Sequence, residues 1–373
     1  MNPFRYGSTV ADKDFCPRPK LENTIRKHIA SCQNIHIEGD RRTGKTSLVF
    51  EVARKRKRSI LLHFDFQLVK CTGDVRARFV EGLSAATAQT GMLDKLIKHL
   101  AHLRPIVSIN PATGEPALSL KTEDADSLDG RTIGELLDFA QKTFTSQKPI
   151  LFLDEFQDVA KLPEAADLLA AMRSRIQRHH NCTYIYSGSS RSDMDAIFRN
   201  PDSPFFKSAI AVPVDVIDRN EFIPFLAAKF HGGKRSTSTE VLAEVLDLVE
   251  DNPGDAQELC NCLWEATAPG DSISSRMIES ALNLIFTREF KYFAQVLEDI
   301  TALQKRCLQG LARCNGYNIY AKAFMQDTGI MNTGSITRAI KQLEKRRIIS
   351  SARKRFVFAS PFLKLWLLRN PHL

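Results

Sequence analysis

Residues 39–46 read GDRRTGKT, two glycines and a lysine at the spacing G-x-x-x-x-G-K-[ST]. A loop of this kind surrounds phosphate oxygens with backbone N–H groups. It also opens a helix, whose dipole favours anions. Lys45 is the expected partner of the β- and γ-phosphates of ATP, and the Thr46 hydroxyl an expected ligand of Mg2+. The strand-like NIHIE before the loop and the helical SLVFEVARKRK after it supply the context that the motif requires. The candidate nucleotide contacts are therefore Gly39, Asp40, Arg41, Arg42, Thr43, Gly44, Lys45, Thr46 and Ser47.

A second stretch, ILFLDEFQDV, ends four apolar residues in Asp154 and Glu155. Two carboxylates at the carboxyl end of a buried strand suit a P-loop ATPase. Asp154 would hold the metal through its water shell, and Glu155 would orient and deprotonate the attacking water. The catalytic candidates are thus Lys45, Asp154 and Glu155. A further strand ends in YIYSGSS, where Ser187 or Ser189 could sense the γ-phosphate, Ser189 being the preferred candidate. Ordinary turn chemistry is the competing account of those hydroxyls.

These residues need a scaffold, and the pattern of the chain predicts one. The runs NIHIEG, SILLHFDF, PILFLDEF, CTYIYSGSS and IAVPVDV are short and rich in β-branched or aromatic residues. Near-continuous apolar runs suit strands buried on both faces of a parallel sheet. The segments between them carry helical spacing, so an α/β domain is expected. Residues 104–124 read as an inserted β-hairpin around the turn NPATGEP. Beyond about Asp218 the pattern is helical. From about Thr287 it predicts one long helix to Asn315, then a helix-turn-helix and a basic ribbon, the order of a winged helix.

Charge is unevenly spread. The net charge is +9, yet Thr301–Leu373 alone holds 14 Lys and Arg against two acids, Asp327 and Glu344. The remainder is slightly acidic. A basic C-terminal module points to an acidic partner, with nucleic acid first in line. Ile336, Ile340 and Leu343 recur at the spacing of a core-facing stripe, which sets Thr337, Arg338, Lys341 and Lys345 outward. Arg353, Lys354 and Arg355 fall at the wing tip. The alternative is a solvated face, or a module that docks onto protein.

No apolar run approaches the roughly 20 residues of a membrane span, and the first residues lack the apolar core of a secretion signal. A cytoplasmic protein without membrane contact is expected. The eight cysteines are scattered, with no CxxC pair, so reduced thiols rather than disulfides or zinc are expected.

With these motifs in place, the chain resembles the archaeal-type AAA+ ATPases and their bacterial relatives, a group allied to the STAND and initiator ATPases. The likeness covers nearly the whole sequence. It rests on NPFRYGSTV, FCPRPKLENTI, DRRTGKTSL, FLDEFQDV, MRSRIQRHHNCTYIYSGSSRSDM, IFRNPDSPFF and NPGDAQELCNCLW. It implies a P-loop NTPase sheet of order 5-1-4-3-2, a helical lid and a C-terminal winged helix. The implied domains are 1–217 for the ATPase core, 218–286 for the lid and 287–373 for the winged helix.

The resemblance also implies that Phe15, Pro17 and Arg18 lie beside the adenine, core packing being the other account of Phe15. Pro253 would contact nucleotide as the lid closes. Gln257 stands where initiator relatives carry a sensor arginine, and Asp251 replaces the usual glycine. An arginine finger from a neighbouring subunit would be Arg173, Arg175, Arg191 or Arg199. The functional expectation is a Mg2+-dependent ATPase, slow or partner-stimulated, that switches with nucleotide state and binds double-stranded DNA through the winged helix. Homo-oligomerisation is left open. The alternatives are a STAND-type switch whose winged helix docks a protein, and a nucleotide-binding scaffold without turnover.

Overall fold

The computed structural model describes residues 1–101, 105–109, 116–120, 130–352 and 355–372. The chain divides into two compact units, Thr9–Asp215 and a second made of Met1–Ser8 with Val216–Leu373.

The first unit is built on five parallel strands: β1 (Ile35–Glu38), β2 (Leu61–Asp65), β3 (Ile150–Asp154), β4 (Thr183–Ser187) and β5 (Ile210–Pro213). Their hydrogen-bonded order is β2-β3-β4-β1-β5, which is the expected 5-1-4-3-2 read from the other edge. β3 and β4 are buried along their whole length. That is why their sequences are runs rather than alternations. Register pairs Ile37 with Ser187 and Leu153 with Tyr186, so β1, β3 and β4 end within a residue of one level and their last residues converge. Helix α1 (Pro19–Ala30) and the post-loop helix α2 (Lys45–Arg54) pack over Ile35, Ile37, Phe152 and Ile185.

The expected hairpin is present as an antiparallel pair, Pro105–Ile109 with Pro116–Leu120. Its turn, residues 110–115, lies outside the described residues. Leu118 is buried in the core, and its N–H donates to Ser84 Oγ at 3.2 Å.

The second unit is helical where predicted, with helices Arg219–Gly232, Thr239–Leu248, Pro253–Glu265 and Ser275–Glu298. The predicted single helix from Thr287 to Asn315 is not formed. One helix ends at Glu298 and another begins at Ala302. The reason is local. Thr301 accepts from Gln304 N, and the Gln304 side chain accepts from Thr301 N, a reciprocal capping box that starts a new helix.

The chain continues through helices Lys322–Thr328 and Thr333–Lys345, an antiparallel ribbon Ile349–Ala352 with Arg355–Phe358, and a closing helix Pro361–Arg369. Ile336, Ile340 and Leu343 are buried as the stripe predicts. Gly316 bonds to the ribbon, accepting from Phe356 N at 3.1 Å. A Cβ there would lie 1.8 Å from Phe356 O, so no other residue fits that crossing. No helix of the described residues is long and apolar enough to cross a membrane.

Candidate nucleotide site

The candidate phosphate loop, residues 39–46, leaves β1 under two constraints. A Cβ on Gly39 would lie 2.5 Å from Val214 O, because Val214 N donates to Glu38 O at 2.6 Å and holds the neighbouring strand close. Gly44 takes φ +83°, the left-handed region that favours glycine, and is followed at once by α2. No side chain caps that helix. Its first N–H groups therefore face whatever occupies the loop. Arg42 also has positive φ, and Thr43 Oγ1 donates to Asp40 O at 2.9 Å, closing the turn.

Lys45 is buried, and Nζ donates to the carbonyls of Gly39 at 2.9 Å and Asp40 at 2.8 Å. Burial lowers its pKa, while Glu155 and Asp154 pull it back up. Thr46 Oγ1 donates to Asp154 Oδ2 at 2.8 Å, across 108 residues of sequence. Asp154 Oδ1 accepts from the Ser187 hydroxyl and, at 3.1 Å, from Glu155 N. Burial alone would raise the Asp154 pKa. The adjacent His63 and the Ser187 and Thr46 hydroxyls outweigh it and hold the group below the usual carboxylate range.

Glu155 adopts φ +51°, a strained conformation for a non-glycine residue at the end of a strand. Its Oε2 accepts from Gln157 Nε2 at 2.5 Å and from Ser189 Oγ at 2.7 Å. The two serines of YSGSS therefore divide their work: Ser187 holds Asp154 and Ser189 holds Glu155. Gln157 is fully buried, and a Cβ on Gly188 would lie 2.1 Å from its Oε1. Sequence reasoning passed over Gln157 and His63. The one available signal for His63 was a polar residue inside an apolar strand.

Other sequence candidates are spread more widely. Phe15 packs in the core with Ile25, Ile29 and Leu48. Arg18 Nη2 donates to Thr43 O at 2.5 Å and Nη1 to Asp215 O at 3.2 Å, so the guanidinium ties the loop to Asp215. Burial lowers its pKa to about 10. Ser47 is turned to the N-terminal segment and accepts from Val10 N at 3.1 Å. Asp40 lies on the loop with Arg191 Nη2 3.6 Å from its carboxylate, and Arg41 is exposed.

The arginine-finger candidates separate. Arg175 pairs with Asp138 at 3.1 Å, and Arg199 pairs with Glu38 at 2.5 Å and Asp195 at 3.1 Å. Arg191 faces the phosphate loop of its own chain, and Arg173 is half-buried.

In the second unit, Pro253 opens helix Pro253–Glu265 and is buried, and Asn252 caps that helix. Asp251 takes φ +60°, the conformation a glycine adopts freely, and pairs with Arg219 at 2.6 Å. Arg338, Lys341 and Lys345 are exposed on helix Thr333–Lys345. Arg355 is not free: it pairs with Glu250, which also takes Lys364 at 2.5 Å. Arg353 and Lys354 lie outside the described residues.

This geometry can be set beside known proteins. Residues 291–369 match the family described as a probable winged helix domain. The Walker-type ATPase of Pyrococcus abyssi superposes with TM-score 0.67 at 16% identity, covering 98% of this chain and 99% of that one. The Aeropyrum pernix ORC2 protein, solved in ADPNP–ADP complexes, gives 0.54 at 13% identity over 96% of each chain. The Aeropyrum pernix ORC1 protein, solved in complex with DNA, gives 0.52 at 12% identity over 98% of this chain and 94% of that one. No curated protein matches by sequence search. The likeness is one of fold: a five-stranded parallel sheet with its flanking helices, followed by a helical region and a C-terminal winged helix.

Proposed function

We propose that this protein is a Mg2+-dependent AAA+-type ATPase whose nucleotide state acts as a switch, and that it engages double-stranded DNA through the winged helix. The observation that carries the nucleotide reading is the 2.8 Å contact between Thr46 and Asp154. It joins the phosphate loop to the carboxylate strand at the mouth of a helix with no side-chain cap.

A hydroxyl and an ionised carboxylate in contact form a hard oxygen donor set, which fits Mg2+. Bound there, the ion would supply positive charge to offset that of the phosphates. Thr46 and Asp154 would hold it, while Lys45 exchanges its two loop carbonyls for β- and γ-phosphate oxygens. Glu155 is the general base, and Ser189 and Gln157 orient its carboxylate towards a water. Arg18 holds the Thr43 carbonyl of the loop, which suits it to a positioning role beside the adenine, while Phe15 braces that side from the core.

Pro253 is proposed as the lid residue that meets nucleotide, within the division into core, lid and winged helix at 1–217, 218–286 and 287–373. Self-association and a cytoplasmic setting belong to the same reading. The DNA assignment draws on the basic helix and on the DNA-bound relative of like fold.

One observation favours the second reading, a switch that docks a protein. Arg355, a wing cation, is already spent on Glu250. A combined experiment decides among the readings. Calorimetry should show Mg2+-dependent ATP binding, and Glu155→Gln should keep binding while losing turnover. Anisotropy with duplex DNA should show affinity that falls steeply with salt. Binding of ATP without DNA affinity at low salt selects the protein-docking switch. Turnover absent from the wild type, with and without DNA, leaves only a scaffold.

A further inference from the structure

His63 lies in the middle of β2 with a ring nitrogen that the nucleotide reading does not use. Its ring is fixed by aromatic neighbours. It stacks on Phe152 with centroids 5.1 Å and planes 24° apart, and meets Phe50 edge-on at 5.1 Å and 79°. Nε2 thereby stands 3.6 Å from Asp154 Oδ2, too far for a hydrogen bond, and is buried with no hydrogen-bond partner. The same Oδ2 accepts the Thr46 hydroxyl at 2.8 Å. One carboxylate oxygen is thus flanked by a hydroxyl from α2 and an imidazole from β2.

A buried polar nitrogen without a partner is costly and calls for an explanation, a bound ion being one. We propose that His63 Nε2 is a third protein donor to the divalent cation at Thr46 and Asp154, and that it shifts the site's preference from Mg2+ towards a first-row transition metal. The proposal rests on the nucleotide reading above. Mg2+ takes oxygen ligands and keeps much of its water, whereas a neutral imidazole binds transition metals well. Cis ligands of an octahedral ion with ~2.1 Å bonds lie ~3 Å apart, so only a small closing movement is needed. The described residues hold no group of three His, Cys, Asp or Glu side chains fit for a metal. The set proposed here is completed by the Thr46 hydroxyl and by the nucleotide's phosphates.

The test uses Mn2+ as a spectroscopic probe on the full chain, with a β,γ-methylene analogue of ATP and protein labelled with 15N at histidine. Electron spin-echo modulation of bound Mn2+ should show 15N coupling, and His63→Phe, which keeps an aromatic ring in the stack, should abolish it. Calorimetry should show the ratio of Mn2+ to Mg2+ affinity falling about tenfold in the same variant, the lower end of the loss expected when a metal's ligand environment is disrupted. His63→Gln should give the same loss, which guards against a packing effect of phenylalanine. Nucleotide-bound Mn2+ without 15N coupling in the wild type overturns the proposal and leaves the ATPase reading intact. No metal-dependent nucleotide binding at all overturns both.

Discussion

The candidate phosphate site and the winged helix both carry charged side chains, but the two regions hold them differently. At the site, Lys45 and Asp154 are buried, and each has hydrogen-bond partners at defined distances. On the winged helix, Arg338, Lys341 and Lys345 stand in solvent. Arg355 and Lys364, by contrast, are tied down by Glu250. Buried charge must be matched group by group, so its geometry carries functional information. Exposed charge needs no such matching, and its meaning rests on sign and density.

The largest expected effect tests the matched side of that contrast. Lys45→Ala removes the cation proposed to meet the phosphates and leaves the Gly39 and Asp40 carbonyls without their donor. Mg2+-dependent ATP affinity in calorimetry should fall by about a hundredfold or more, since charge-assisted hydrogen bonds at about 1.5–3 kcal/mol each disappear together. A variant that binds ATP like the wild type would remove Lys45 from the site and with it the meaning of the loop.

Next comes the unmatched side. Replacing Arg338, Lys341 and Lys345 together by glutamate should weaken duplex DNA binding about ten- to a hundredfold at low salt. It should also flatten the dependence of log affinity on log salt by about three, close to one for each phosphate that a cation no longer neutralises. Because these side chains are exposed, thermal stability should move little. Unchanged affinity and slope would turn the basic surface into a solvated face.

How much of this was legible in the sequence follows the same division. The strands and the placing of Thr46, Asp154 and Glu155 could be read because buried strands write themselves as apolar runs, and a phosphate loop tolerates few residue types; the strand order came only with the family resemblance. The split at Thr301 was missed because a capping box is a short local signal inside a long amphipathic stretch. His63 and Gln157 were missed because each takes its significance from a neighbour brought to it by the fold: Asp154 for His63, and Gly188 with Glu155 for Gln157. Arg355 was counted as a free wing cation, and nothing near it in sequence announces Glu250.

That glutamate gives the third and smaller test. Burial alone would raise the Glu250 pKa, but Lys364 and Arg355 hold it below the usual range. Glu250→Gln should release both cations and raise DNA affinity about threefold, in line with roughly 1 kcal/mol or less for a partly exposed ion pair. Trp264 and Trp366 both lie in the second unit, so tryptophan fluorescence during urea unfolding reports the accompanying loss of stability there. Weaker DNA binding in this variant would mean that the pair organises the wing and does not compete with phosphate.

The last test lies on the first unit, where no change in DNA affinity is expected, and asks whether a comparable cluster behaves as structure alone. Glu51 on α2 accepts from Arg54 and pairs with Lys55 at 3.0 Å, and its carboxyl is pushed down to about 2 despite its burial. A depressed carboxylate pKa contributes stability that is complete above the unfolded value, here 4.5, and is lost as pH falls towards 2. Glu51→Gln should therefore cost about 1–2 kcal/mol at neutral pH, discounted because Arg54 and Lys55 are half-exposed, and the gap to wild type should close below pH 4.5. Amide exchange across α2, corrected for its intrinsic rate at each pH, reads the difference. A gap that stays constant with pH would assign the loss to packing of the longer side chain. DNA affinity should not change, which separates a glutamate that only braces a helix from one that restrains a binding surface.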